Sequence, residues 1–202
     1  KDYFKSLELP VIAAPMFLIS GPELVIECCK NGIVGTFPAL NHRTTEGFEQ
    51  WVILIKESLA AFEAETGKKA APFGVNLIVH ATNMRVQADL EICVKHQVPL
   101  IITSLGAVAQ LVDVVHSYGG LVYHDVIKKR HAEKAAEVGV DGLILVAAGA
   151  GGHAGTLHPI ALINEIKKFF NKTILLSGCL STGKDVASAM QMGADMAYMG
   201  TR

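Results

Sequence analysis

The sequence predicts a parallel α/β barrel, a (β/α)8 TIM barrel truncated after its eighth strand, and three observations predict it. Eight short apolar runs rich in β-branched residues alternate with stretches of helical periodicity. The runs are continuously apolar rather than alternating, as strands of a parallel sheet covered on both faces must be. Their spacing is even, about 21–25 residues in most units, which favours a closed barrel over an open doubly wound sheet built from the same local βα phrases.

The first strand is expected at Val11–Pro15, followed by a helix carrying Leu24, Ile26 and Cys28 and stopped at Asn31-Gly32. The second, Ile33–Phe37, leads into the longest interval, an insertion at about 41–69 with a helix around Phe48–Ala64 and the single tryptophan, Trp51. Strands follow at Phe73–Ile78 and Pro99–Thr103, then a helix with Val108, Leu111, Val112 and Val115 on one face, ended by Gly119-Gly120. Leu121–His124 and Gly142–Val146 are the fifth and sixth strands. The helix between them stops at Val138-Gly139, and the next begins near Pro159. Thr173–Ser177, a helix closed by Met192-Gly193, and Met196–Met199 complete the set. The sequence stops at Arg202 directly after this strand, so the expected barrel lacks its eighth helix, and residues 1–202 form one domain.

Composition excludes several function classes. Eighteen Lys+Arg balance nineteen Asp+Glu, a net charge of −1, which gives no electrostatic footprint for nucleic acid or an anionic membrane. No apolar run approaches the ~18 residues of a membrane span, and Lys1–Pro10 lacks the apolar core of a signal peptide. Cys28, Cys29, Cys93 and Cys179 show no zinc spacing. Cys28-Cys29 are read as helix packing, and the cysteine usage fits a reduced, cytoplasmic setting. The histidines His42, His80, His96, His116, His131 and His158 likewise show no spacing for a metal. A charged content of 18%, below the ~25% average, points to a large interior.

In such a barrel chemistry sits where strands end. Those positions read Ala14-Pro15-Met16, Pro38, Asn76, Ser104, His124-Asp125, Gly149–Gly155, Gly178-Cys179 and Gly200-Thr201. Small residues and isolated polar groups there suit close backbone approach by a flat, phosphorylated ligand. The stretch Ala147–Gly155 passes a loose dinucleotide pattern, but no helix opens at once and no acid ends the next strand, which excludes a Rossmann site. His153, set among small residues, is expected to meet a ligand as donor or base. Gly178–Asp185 mimics a P-loop until Asp185 replaces the required Ser or Thr. What survives is a helix N-terminus whose free N–H groups favour an anion, with Ser181 as its cap. Asn76 either bonds a ligand or forms a turn. His124 and Asp125 form either a base and its orienting group, or a strand end with Asp125 paired to Lys128 and Lys129.

Pro15-Met16, Phe73-Gly-Val-Asn76, Ala150-Gly-Gly-His-Ala-Gly155, Ser177-Gly178 and Met199-Gly-Thr-Arg202 together resemble the nitronate monooxygenase family, over the whole chain and in order. The resemblance implies an FMN-dependent barrel that oxidises alkyl nitronates with molecular oxygen, with nitronate and O2 as small-molecule partners and a homodimer as an open option. It implies His153 as the catalytic residue facing the nitro group. Ala14, Pro15, Met16, Asn76, His124, Gly151, Gly152, Gly178, Cys179, Met199, Gly200 and Thr201 are the implied FMN-binding set, with Gly178, Gly200 and Thr201 on the phosphate. Many relatives carry Glu and Arg where this loop has Gly149 and Ala154, so the loop is less charged. Competing expectations are a flavin enoyl-thioester reductase using NAD(P)H, a non-catalytic flavin-binding barrel, and a flavin-free phosphosugar isomerase.

Overall fold

A computed structural model describes residues 4–106, 108–152 and 154–200. Among the described residues eight strands alternate with seven α-helices. In chain order they are β1 (Val11–Ala13), α1 (Pro22–Lys30), β2 (Val34–Pro38), a 3₁₀ turn (Ala39–Asn41), α2 (Thr45–Thr66), β3 (Phe73–Ile78), α3 (Val86–Lys95) and β4 (Leu100–Ser104). The second half runs α4 (Ala109–Ser117), β5 (Leu121–Val126), α5 (Lys129–Glu137), β6 (Gly142–Val146), α6 (Pro159–Ile166), β7 (Thr173–Ser177), α7 (Gly183–Met192) and β8 (Met196–Met199). Each strand pairs in parallel with the next, and β1 pairs with β8 through Ile12↔Tyr198 and its neighbours. That last ladder closes the barrel and excludes the open sheet.

Strand limits differ from expectation where the ladder explains it. β1 is shorter because Pro15 has no N–H to contribute, and Ala14 already donates to the Met199 carbonyl at 2.9 Å. β2 and β4 each slide by one residue. β5 runs on to Val126 because Asp125 and Val126 pair with Ile144 and Leu145. The stretch expected as an insertion is a barrel helix, the 22-residue α2, capped by Thr44 Oγ1 accepting the Gly47 N–H and ended at Gly67 in the left-handed region.

Strand alternation divides the core in two. Ile12, Val34, Leu100, Ile102, Tyr123, Ile144, Leu175, Met196 and Tyr198 fill the barrel interior. The alternate positions, among them Val75, Ile101, Val122, Leu143 and Leu176, pack outward against the helices with Val25, Val52, Leu111 and Ile163. The two-sided burial of every strand is the physical reason for the continuous apolar runs and the low charge.

Candidate functional site

At the C-terminal ends of the strands the interior filling gives way to a cavity of about 1050 Å³. Ala14, Pro15, Met16, Asn76, His124, Gly151, Gly152, Gly178, Cys179 and Gly200 all line it. Met199 does not. Tyr198 and Gly200 take the inward positions of that segment, so Met199 faces outward and packs against the outer core. His153 and Thr201 lie outside the described residues.

The loop after β1 is held by side chains. Asn41 Nδ2 donates to the Met16 and Ser20 carbonyls at 2.9 Å each, and Asn41 Oδ1 accepts the Leu18 N–H. Ser20 Oγ accepts the Met16 N–H at 2.9 Å. This clamp fixes Pro15 and Met16 at the mouth and holds Leu18 at a φ of 61°, a conformation that costs a non-glycine residue energy.

The cavity has two unlike sides. The β6–β8 side and the start of β1 are built of small residues. A Cβ on Gly151 or Gly152 would meet nothing within 4 Å, so both face open space. Gly155 is different. A Cβ there would lie 2.2 Å from the Val146 carbonyl, so only glycine lets the loop fold back on β6.

The opposite side, β3 to β5, is polar. Inward-facing Asn76, Ser104 and Asp125 sit on three adjacent strands and are joined in a row. Asn76 Nδ2 donates to the Ile102 carbonyl at 3.2 Å and to Ser104 Oγ at 2.8 Å. Ser104 Oγ donates in turn to Asp125 Oδ2. The second carboxylate oxygen, Asp125 Oδ1, is buried and has no hydrogen-bond partner among the described residues. Burial pushes the Asp125 carboxyl up to about 6, opposed by the Ser104 hydrogen bond. Burial, with the Asp125 charge adding to it, also raises the phenol of inward-facing Tyr198.

Neighbours on a strand point oppositely, so His124 and Asp125 form no dyad. His124 Nδ1 pairs with Thr103 Oγ1 at 2.8 Å, and burial drives the imidazole down to about 4. Nor does Asp125 pair with Lys128 or Lys129; Lys129 reaches Glu133 instead. The α7 N-terminus differs from expectation as well. Thr182, not Ser181, is the cap, and Asp185 Oδ2 accepts the Ser181 and Thr182 N–H groups at 2.9 and 2.8 Å. The helix's own carboxylate thus takes the Ser181 and Thr182 N–H groups just ahead of its first turn. Among the described residues no group of three or more His, Cys, Asp or Glu could hold a metal ion, and no helix is long and apolar enough to cross a membrane.

The pattern that defines the nitronate monooxygenase family matches residues 43–202, which span the polar row and the glycine loop. The chain belongs to the nitronate monooxygenase family. Among curated proteins it is similar to a 5-hydroxy-7a-methyl-1-oxo-octahydro-1H-indene-4-carboxyl-CoA dehydrogenase of Rhodococcus jostii, 25% identical over 96% of this chain and 51% of that one. It is also similar to a nitronate monooxygenase of Neurospora crassa, 26% identical over 100% of this chain and 61% of that one. The chain thus spans half to three-fifths of the length of these relatives. Among solved structures, a nitroalkane oxidase from Streptomyces ansochromogenes superposes with a TM-score of 0.85 at 20% identity, over 99% of this chain and 67% of that one. FabK from Thermotoga maritima gives 0.82 at 21% identity, over 98% and 60%. At such identities these two likenesses establish the barrel alone.

Sequence reasoning did not single out Tyr198 or Val146, which also line the cavity. The period of two along β6 to β8 carries that signal, since each of them is an inward position. Nor did it join Ser104 to Asn76 and Asp125, because that contact depends on the register between three strands.

Proposed function

We propose that this chain is the flavin-binding barrel of an FMN-dependent oxidoreductase that oxidises alkyl nitronates with molecular oxygen to carbonyl compounds and nitrite. The observation that carries the reading is the two-sided cavity: a small-residue side open at Gly151 and Gly152 and a polar row ending in Asn76. That lining fits a flat ligand with one hydrogen-bonding edge and an anionic tail. Ala14, Pro15 and Met16 would lie against the ring system, Asn76 would meet its polar edge, and Gly178, Cys179, Gly200 and Thr201 would hold the phosphate end. Bound FMN supplies the redox chemistry, accepting electrons from the substrate and passing them to oxygen. His153 donates a hydrogen bond to the negatively charged nitro group of a nitronate and takes the proton from a neutral nitroalkane.

A second reading is redox chemistry on an acyl-thioester with NAD(P)H. It draws on the name of the Rhodococcus relative, a carboxyl-CoA dehydrogenase matching 96% of this chain, and on the uncharged Gly149 and Ala154 in the histidine loop. Purified protein is expected to be yellow, to consume oxygen with propyl-2-nitronate, and to lose about a hundredfold of that rate in His153→Ala, the scale of a general acid–base contribution. An unchanged rate in that variant rejects the role of His153. Rapid anaerobic bleaching of the flavin by NAD(P)H, with no nitronate turnover, selects the thioester reading. A colourless, folded chain that refuses added FMN rejects both.

A further inference from the structure

The row Asn76–Ser104–Asp125 has a direction, and both its ends dictate it. The Ile102 carbonyl can only accept a hydrogen bond, so the amide end of Asn76 facing it, 3.2 Å away, must be the –NH2. The second hydrogen of that group goes to Ser104 Oγ at 2.8 Å. Having accepted there, the Ser104 hydroxyl spends its single proton on Asp125 Oδ2. With both amide hydrogens committed, the remaining group of Asn76 is the carbonyl Oδ1. It has no hydrogen bond from any described residue, and the side chain lines the cavity. The site therefore presents an acceptor, not a donor, on this wall.

We infer that Asp125 is a positioning residue that, by taking the Ser104 proton, holds the Asn76 carbonyl toward the cavity as the acceptor for a ring N–H of the bound ligand. This rests on the flavin reading above. An oxidised flavin ring has a single N–H, at N3, so the geometry calls for that edge to meet Asn76. Two features make Asp125 more than a buried acid. It is the last link of a row crossing three strands. Its other oxygen is buried and unpaired, so the Ser104 hydroxyl is the one partner the carboxyl has among the described residues, and that bond is correspondingly hard to give up.

The test is a cycle between protein and ligand, read by quenching of flavin fluorescence on titrating FMN or 3-methyl-FMN into the flavin-free chain. The methyl group removes the N3 proton and leaves the rest of the ring. Wild type is expected to prefer FMN about tenfold, the worth of one buried hydrogen bond. Asp125→Ala and Ser104→Ala are expected to lower FMN affinity while leaving 3-methyl-FMN nearly unchanged, so that the preference shrinks toward one. Asp125→Asn, whose amide oxygen can still accept from Ser104, is expected to retain most of it. A purely structural role would weaken both flavins alike, and that result overturns the inference. Equal binding of both flavins by wild type overturns it too, while leaving the flavin reading intact. A chain that takes up neither flavin rejects the flavin reading and the inference with it. Ser104→Ala keeps the cycle decisive should Asp125→Ala not fold.

Discussion

His124 and Asp125 are adjacent on β5, yet their titrations pull stability in opposite directions. Burial lowers His124 to about 4 from its ordinary 6.5. The unfolded chain takes that proton first, so the contribution is complete above pH 6.5 and is lost as pH falls toward 4. Burial raises Asp125 to about 6 from 3.8. Here the folded chain takes the proton first, and the contribution is complete below pH 3.8 and lost as pH rises through 6. At about 1.4 kcal/mol per pH unit, each shift is worth on the order of 3 kcal/mol, and their opposite slopes nearly cancel between pH 4 and 6. Relative to wild type, His124→Gln should gain stability on acidification from pH 6.5 to 4.5, and Asp125→Asn should lose it. Urea midpoints measured across that range check both signs. Variants whose midpoints run parallel to wild type would show that neither group titrates as its burial requires.

Among the helices, α7 gives the sharpest energetic test. Its capping box joins Thr182 Oγ1 to the Asp185 N–H and Asp185 Oδ2 to the Thr182 N–H. Thr182→Ala should cost about 1 kcal/mol in urea unfolding while Thr182→Ser costs little; equal losses in the two variants would mean the hydroxyl is not the cap. This box was legible in the chain, since an acid three residues after a hydroxyl residue marks Thr182, whereas Ser181 is followed at that distance by Lys184. The strands were legible for a similar reason. β3, β6, β7 and β8 are short, mainly apolar runs, and both faces of each are buried. The site was only half legible. Glycines and Asn76 at strand ends mark a mouth, and a period of two places Ser104, Asp125 and Tyr198 inside it. Their joining cannot be read along the chain, because it depends on β3, β4 and β5 lying in one register. The same alternation turns Met199 away from the cavity and separates His124 from Asp125, where adjacency in sequence invites pairing.

A closed barrel has no sheet edge, so its interior must be filled by side chains at one end if it is to stay open at the other. Here the filled end depends on Tyr123. Its register partner on β6 is Gly142, and the partner of Gly142 on β7 is Thr173. The Tyr123 ring lies over Gly142, and Phe4 packs against the same ring with centroids 6.1 Å apart. A Cβ on Gly142 would lie 2.6 Å from two carbons of that ring. Tyr123 is fully buried, so the ring has little room to retreat. Gly142→Ala should therefore cost about 1–3 kcal/mol as overpacking, although alanine is the better residue for a strand by propensity alone. The origin of the cost is testable by a second substitution. Tyr123→Leu removes the clashing ring, so in that background Gly142→Ala should be nearly neutral, a non-additivity above about 0.5 kcal/mol in urea unfolding. Were the alanine to cost the same with and without the ring, the glycine would be serving the backbone of β6 and not the passage of Tyr123 across it.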